Sequence, residues 1–133
     1  MDEVKKEELK KKLSPEQFKI AVEKGTEAPF SGKYVFNKDK GVYKCMVCGN
    51  PLFSSEAKFE TKTPGLEGWP SFDASLPGAI KLEQDSTAGM NRTEVLCARC
   101  NSHVGHVFDD NSETKTGKHY CVNCVSLDLK KSN

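Results

Sequence analysis

The sequence predicts a mainly β fold: antiparallel sheets stapled by one structural four-cysteine zinc site, with a short N-terminal helix in front. Three observations lead to it. Six cysteines fall in three pairs of the same C-x-x-C spacing, Cys45/Cys48, Cys97/Cys100 and Cys121/Cys124. Two of these pairs stand in turn-like sequence, whereas the third stands in an alternating run of β-branched and apolar residues. Beyond Gly25, short β-rich segments are separated by Gly, Pro, Asn and Asp clusters, with no β-helix-β rhythm.

At 133 residues the chain is long enough for one domain with a real core and no disulfide staples. Residues 1–13 are rich in Lys and Glu and read as a charged, flexible arm, leaving 14–133 as the single domain. Ser14-Pro15-Glu16-Gln17 is a capping-box pattern with proline at the first helical position. Phe18, Ala21 and Val22 then form an apolar stripe, so a helix is expected from there to near Gly25. Strands are expected around 41–46, 79–82, 92–96, 104–108 and 120–129.

The formal charge is +1, from 20 basic and 19 acidic residues, which leaves no electrostatic footprint for nucleic acid. No signal-like apolar segment opens the chain, and no run of about eighteen apolar residues occurs in it. A monomer in the reducing cytoplasm, with no membrane partner, is therefore expected. In that compartment paired cysteines serve as metal ligands or reactive thiols more often than as bridges.

Cys45 and Cys48 are followed by Gly49, and Cys97 and Cys100 by Asn101, residue types that tolerate the left-handed backbone a metal knuckle needs. Two such pairs read as one closed tetrahedral site for a single Zn(II) per chain, in preference to two unmetallated thiol pairs. Four sulfur ligands leave no open position, so the metal is structural and its binding is coupled to folding.

With four cysteines on zinc, Cys121 is the free thiol to consider. Strand alternation places His119, Cys121 and Asn123 on one face and Tyr120, Val122 and Cys124 on the other. The same extended spacing holds Cys124 about 10 Å from Cys121, beyond the roughly 7 Å Cα separation that a disulfide tolerates. Imidazole, thiol and carboxamide on one face make an unusual core strand, since each wants a partner when buried. The plain alternative is a structural cysteine beside two surface polar groups. His103 and His106 come directly after the second knuckle, and a nucleophilic thiol needs such donors nearby. Taken alone, H-x-x-H is a weak signal, and satisfied loop histidines are the default reading. Trp69, the sole tryptophan, is flanked by Gly68 and Pro70 and offers a rigid wall for a small apolar group, or simply a core indole.

In this order the segments resemble the B-type methionine sulfoxide reductases. The stretches that carry the resemblance are Gly25-Thr-Glu-Ala-Pro-Phe-Ser-Gly-Lys-Tyr34, Lys44-Cys-Met-Val-Cys-Gly-Asn-Pro-Leu-Phe-Ser-Ser55 and Gly68-Trp-Pro-Ser-Phe72. They continue in Arg92-Thr-Glu-Val-Leu-Cys-Ala-Arg-Cys100, His103-Val-Gly-His-Val-Phe-Asp-Asp110 and Tyr120-Cys-Val-Asn123. The resemblance implies reduction of methionine-R-sulfoxide, free or in oxidised proteins, with Cys121 as nucleophile. The sulfenic acid so formed would be recycled by thioredoxin-like or other thiol reductants. By the same resemblance, His103, His106 and Asn123 assist protonation of the sulfoxide oxygen, Trp69 cradles the methyl group, and Cys45, Cys48, Cys97 and Cys100 bind zinc.

Three departures stand out. His119, expected beside the substrate with Trp69, occupies a position where the family usually has arginine, so a permanent cation becomes one that titrates near pH 6.5. The segment 61–67 lacks the resolving cysteine that many members carry, and Cys124 stands where serine is common. The rival reading is a non-catalytic zinc-stapled β module that binds a small ligand or protein partner on its Trp69 face and has no need of Cys121.

Overall fold

A computed structural model describes residues 3–23, 25–62, 66–85, 92–108, 114 and 116–131. The charged stretch expected as an arm is helical over α1 (Glu3–Lys12). After it comes α2 (Pro15–Ala21), which starts on the capping box its sequence implies. Ser14 Oγ accepts from Gln17 N at 3.2 Å, and Gln17 Oε1 accepts from Ser14 N at 2.9 Å. The helix ends before Gly25, where the Gly25 N–H closes instead on Lys19 O at 2.9 Å. Leu9, Leu13 and Ala21 are buried together against Phe18, Val22, Met46 and Val47, which seats both helices on the first cysteine loop.

The strands are β1 (Gly41–Cys45), β2 (Pro51–Ser54), β3 (Lys58–Phe59), β4 (Ser71–Phe72), β5 (Ile80–Asp85), β6 (Arg92–Cys97), β7 (His103–Phe108), β8 (His119–Val122) and β9 (Leu127–Lys131). They form two antiparallel sheets, ordered β2-β1-β9 and β3-β4-β8-β7-β6-β5. The sheets meet on aromatic rings. Tyr43 and Phe53 from the smaller sheet pack on Phe72 and Tyr120 from the larger, with ring centroids 5.2 Å apart for Tyr43–Phe72, 4.5 Å for Phe53–Phe72 and 5.7 Å for Phe53–Tyr120. Leu52, Val95, Val104 and Val122 complete the interior. Among the described residues no helix is long and apolar enough to cross a membrane.

One expected strand is two. The run 120–129 breaks after Val122 into a 3-10 turn, Cys124–Ser126, from which β9 departs to the other sheet. Hydrogen bonds from outside the segment hold that corner: Val125 N to Glu27 Oε1 at 3.0 Å, Ser126 Oγ to His103 O at 3.0 Å, and Met46 N to Ser126 O at 3.0 Å. Val125, Leu127 and Leu129 continue an alternating apolar pattern straight through the bend, so periodicity carries no sign of it.

Candidate active site and metal centre

The two cysteine loops are built alike. Gly49 N donates to Cys45 O and Asn101 N to Cys97 O, each at 2.8 Å, while Cys45 N donates to Asn50 O at 2.7 Å and Cys97 N to Ser102 O at 2.9 Å. Both loops turn through a left-handed residue, Gly49 at φ 80° and Asn101 at φ 65°. The four sulfurs lie within 4.8 Å of one another, with Cys45–Cys100 at 3.7 Å and Cys48–Cys97 at 3.6 Å. Sulfurs bound tetrahedrally at about 2.3 Å stand about 3.8 Å apart, so this donor set fits one metal ion. Hydrogen bonding among these sulfurs lowers the Cys97 thiol and raises that of Cys45. Since Cys45 ends β1 and Cys97 ends β6, an ion here would staple the two sheets together.

The second candidate site lies across the larger sheet. Ser71 on β4 pairs with Cys121 on β8, Cys121 with His106 on β7, and His106 with Glu94 on β6. Directly paired residues share a face, with Cβ atoms about 4.5–5.5 Å apart. Ser71, Cys121, His106 and Glu94 therefore form one row, with an imidazole immediately beside the thiol.

His103 and His106 are three residues apart, which in a regular strand would turn them to opposite faces. A bulge brings them together. The β6–β7 register shifts so that Gly105 faces Val95 and His103 faces Leu96, and the extra residue reverses the alternation. Their ring centroids are 5.3 Å apart. His103 Nδ1 lies 2.7 Å from Glu94 Oε2, with both side chains buried. A carboxylate only accepts, so this bond makes Nδ1 the protonated nitrogen. Gly105 permits the close approach of β7 to β8, since a Cβ there would strike the carbonyl oxygen of Cys121.

Burial, and secondarily the charge of Glu27, push the half-buried Cys121 thiol up to about 12. The same two causes, in the same order, raise Cys124 to about 12. Cys124 is 4% exposed and belongs to the core. The corner comes too late to bring the thiols together, because Val122 is in β8 and Asn123 is extended at φ −75°, ψ 128°. Three extended steps put their Cα atoms about 10 Å apart.

Asn123 is buried, and its side chain holds main chain: Oδ1 accepts from Glu27 N at 3.1 Å and Nδ2 donates to Val104 O at 3.4 Å. Trp69 is half-buried, with Nε1 donating to Glu27 O at 3.0 Å. Two residues on, Ser71 stands beside Cys121. His119 lies deeper than expected for a substrate contact. It is 0% exposed, with its ring 5.0 Å from Phe59 and 6.5 Å from Phe108, and Nε2 2.7 Å from Ser71 Oγ. Glu27 and Glu94 were not singled out from the sequence. For Glu94 the available signal was a carboxylate amid the strand that ends on Cys97. Asp109 and Asp110 of the histidine motif lie outside the described residues.

Residues 13–131 match the SelR domain. The chain is 52% identical over 129 residues to a protein named peptide methionine sulfoxide reductase MsrB from Methanosarcina barkeri, covering 96% of this chain and 87% of that one. It is 49% identical over 132 residues to the protein of that name from Pseudomonas savastanoi pv. phaseolicola, covering 97% of each. Among solved structures, the crystal structure of the Mis18 "Yippee-like" domain is similar at a TM-score of 0.55 and 18% identity, covering 71% of this chain and 98% of that one. That likeness concerns the fold alone. The sequence matches run through the cysteine loops, the His103–His106 strand and the Cys121 strand alike, and the chain belongs to the SelR-domain family of B-type methionine sulfoxide reductases.

Proposed function

We propose that this chain reduces methionine-R-sulfoxide to methionine through direct attack by Cys121 on the sulfoxide sulfur. The observation that carries the reading is the row Ser71–Cys121–His106, which sets an imidazole beside the one half-buried thiol outside the metal cluster. In the reaction the Cys121 sulfur takes the sulfoxide oxygen and becomes sulfenic acid, while the substrate sulfur is reduced to a thioether. The thiol proton and the sulfoxide oxygen end together in the S–O–H group.

His106, paired directly with Cys121, relays that proton: it protonates the sulfoxide oxygen and takes up the thiol proton in return. His103, held by Glu94, packs edge-on against the His106 ring and orients it. Asn123 fixes the chain just after the nucleophile, and Trp69, anchored through its indole N–H, forms the wall for the methyl group. His119 bonds Ser71, the neighbour of Cys121. Two equivalents of an external thiol, from a thioredoxin-like protein or a small dithiol, then return the sulfenic acid to thiol with release of water. Zn(II) on Cys45, Cys48, Cys97 and Cys100 would supply a structural cross-link with no open coordination position.

The test is turnover of each sulfoxide epimer with dithiothreitol as reductant. The R epimer is consumed and the S epimer untouched, and Cys121→Ser loses the activity with its fold and metal intact. Full activity in Cys121→Ser, or equal rates on both epimers, contradicts the proposal.

A further inference from the structure

Glu27 is 5% exposed on an irregular segment ahead of the first strand, and a carboxylate is costly to bury unless it holds something. Its main chain and side chain meet three parts of the site. The N–H donates to Asn123 Oδ1 at 3.1 Å, the carbonyl accepts from Trp69 Nε1 at 3.0 Å, and Oε1 accepts from Val125 N at 3.0 Å. Oε2 is buried without a hydrogen bond among the described residues and lies against Gly32, beside the Cys124 sulfur. One residue thus touches the aromatic wall, the carboxamide after the nucleophile and the corner that ends β8.

We propose that Glu27 is a positioning residue for the reaction, locking Trp69 and Asn123 into one frame around Cys121 and keeping a negative charge near that thiol. The inference rests on the reading of Cys121 as nucleophile. Its side chain acts through Val125: the bond to Oε1 fixes the turn Cys124–Ser126, which in turn fixes Asn123 and the segment that carries Glu27's own main-chain bonds. Its charge lies at the corner that ends the Cys121 strand, where Oε1 meets Val125 N. Around Cys121 stand Ser71 from β4, His106 from β7 and His119 from its own strand, while Glu94 on β6 is engaged with His103. Glu27 is the anion in this set that is not bound to an imidazole. Added to the effect of burial, a negative charge there disfavours the thiolate.

Glu27→Gln and Glu27→Ala separate the two effects. Glutamine keeps an acceptor for Val125 and removes the charge, whereas alanine removes both. In Glu27→Ala, kcat/KM on an R-sulfoxide peptide falls by about tenfold or more through misplaced groups, and acrylamide quenches the fluorescence of Trp69, the sole tryptophan, more strongly. In Glu27→Gln, quenching and most of the activity return, while the pH profile of iodoacetamide alkylation at Cys121, mapped by mass, moves to lower pH. Unchanged kcat/KM and quenching in Glu27→Ala, or an alkylation profile in Glu27→Gln that superimposes on wild type, overturns the proposal. If the alanine variant fails to fold, the Glu27→Gln profile decides alone. A wild-type protein inactive on the R epimer would sink the functional reading instead, a result that quenching and alkylation do not share.

Discussion

Cys121 sits beside an imidazole, yet burial, and secondarily the charge of Glu27, push its thiol up to about 12. The sign follows directly: below the raised value, each unit of pH multiplies the thiolate fraction about tenfold. Alkylation of Cys121 in the free enzyme should therefore climb about tenfold per unit from pH 7 to pH 10. A plateau near pH 8.5, the ordinary range of a thiol, would show that the surroundings do not restrain it. At this scale the sequence is legible where alternation applies, since His119 and Cys121 do share a face with Ser71. Depth is not legible. That His119 is wedged between Phe59 and Phe108, and that Glu27 and Glu94 are buried against site residues 96 and 9 positions away, depends on contacts that local pattern does not encode.

β7 carries both histidines to one face only because the ladder slips by a residue at Val104, and Gly105 then lets the strand close on Cys121. Gly105→Ala forces a methyl group into the β8 main chain. Overpacking of this kind costs about 1–3 kcal/mol, and because the strain falls where His106 pairs with Cys121, activity should drop together with thermal stability. A variant with wild-type melting and turnover would mean that the two strands do not approach as described. The capping box of α2 and the twin cysteine loops were readable because each is a local motif with its own hydrogen bonds. Strands β2, β3 and β4 were not. Pro51–Ser54 begins with proline, and two-residue strands have no period to detect. The corner at Cys124–Ser126 was equally silent, because distant partners, Glu27, His103 and Met46, make it.

Across the whole molecule, the aromatic contact between the sheets and the four-sulfur cluster act in parallel. The cluster also sets the start of β7, since His103 follows Cys100 by three residues, while Met46 in the first loop bonds the corner after Cys121. Removal of a ligand should therefore reach the active site. A structural zinc contributes on the order of 10–16 kcal/mol, comparable with the whole stability of a domain. Cys97→Ser should lose metal, cooperative melting and turnover together, as read by metal content and thermal unfolding on the same sample. A metal-free protein that melts like the loaded one would refute the coupling. The central claim is that Cys121 alone takes the sulfoxide oxygen and that Cys124, held in the core, does not resolve it. One turnover with R-sulfoxide in the absence of reductant, followed by dimedone trapping and intact-mass and peptide mapping, tests it most directly. The account predicts about one methionine released per chain, as one oxygen atom passes to one thiol, and a single dimedone adduct on Cys121. Rapid loss of two hydrogens mapping to a Cys121–Cys124 disulfide, or an adduct on another cysteine, would contradict it.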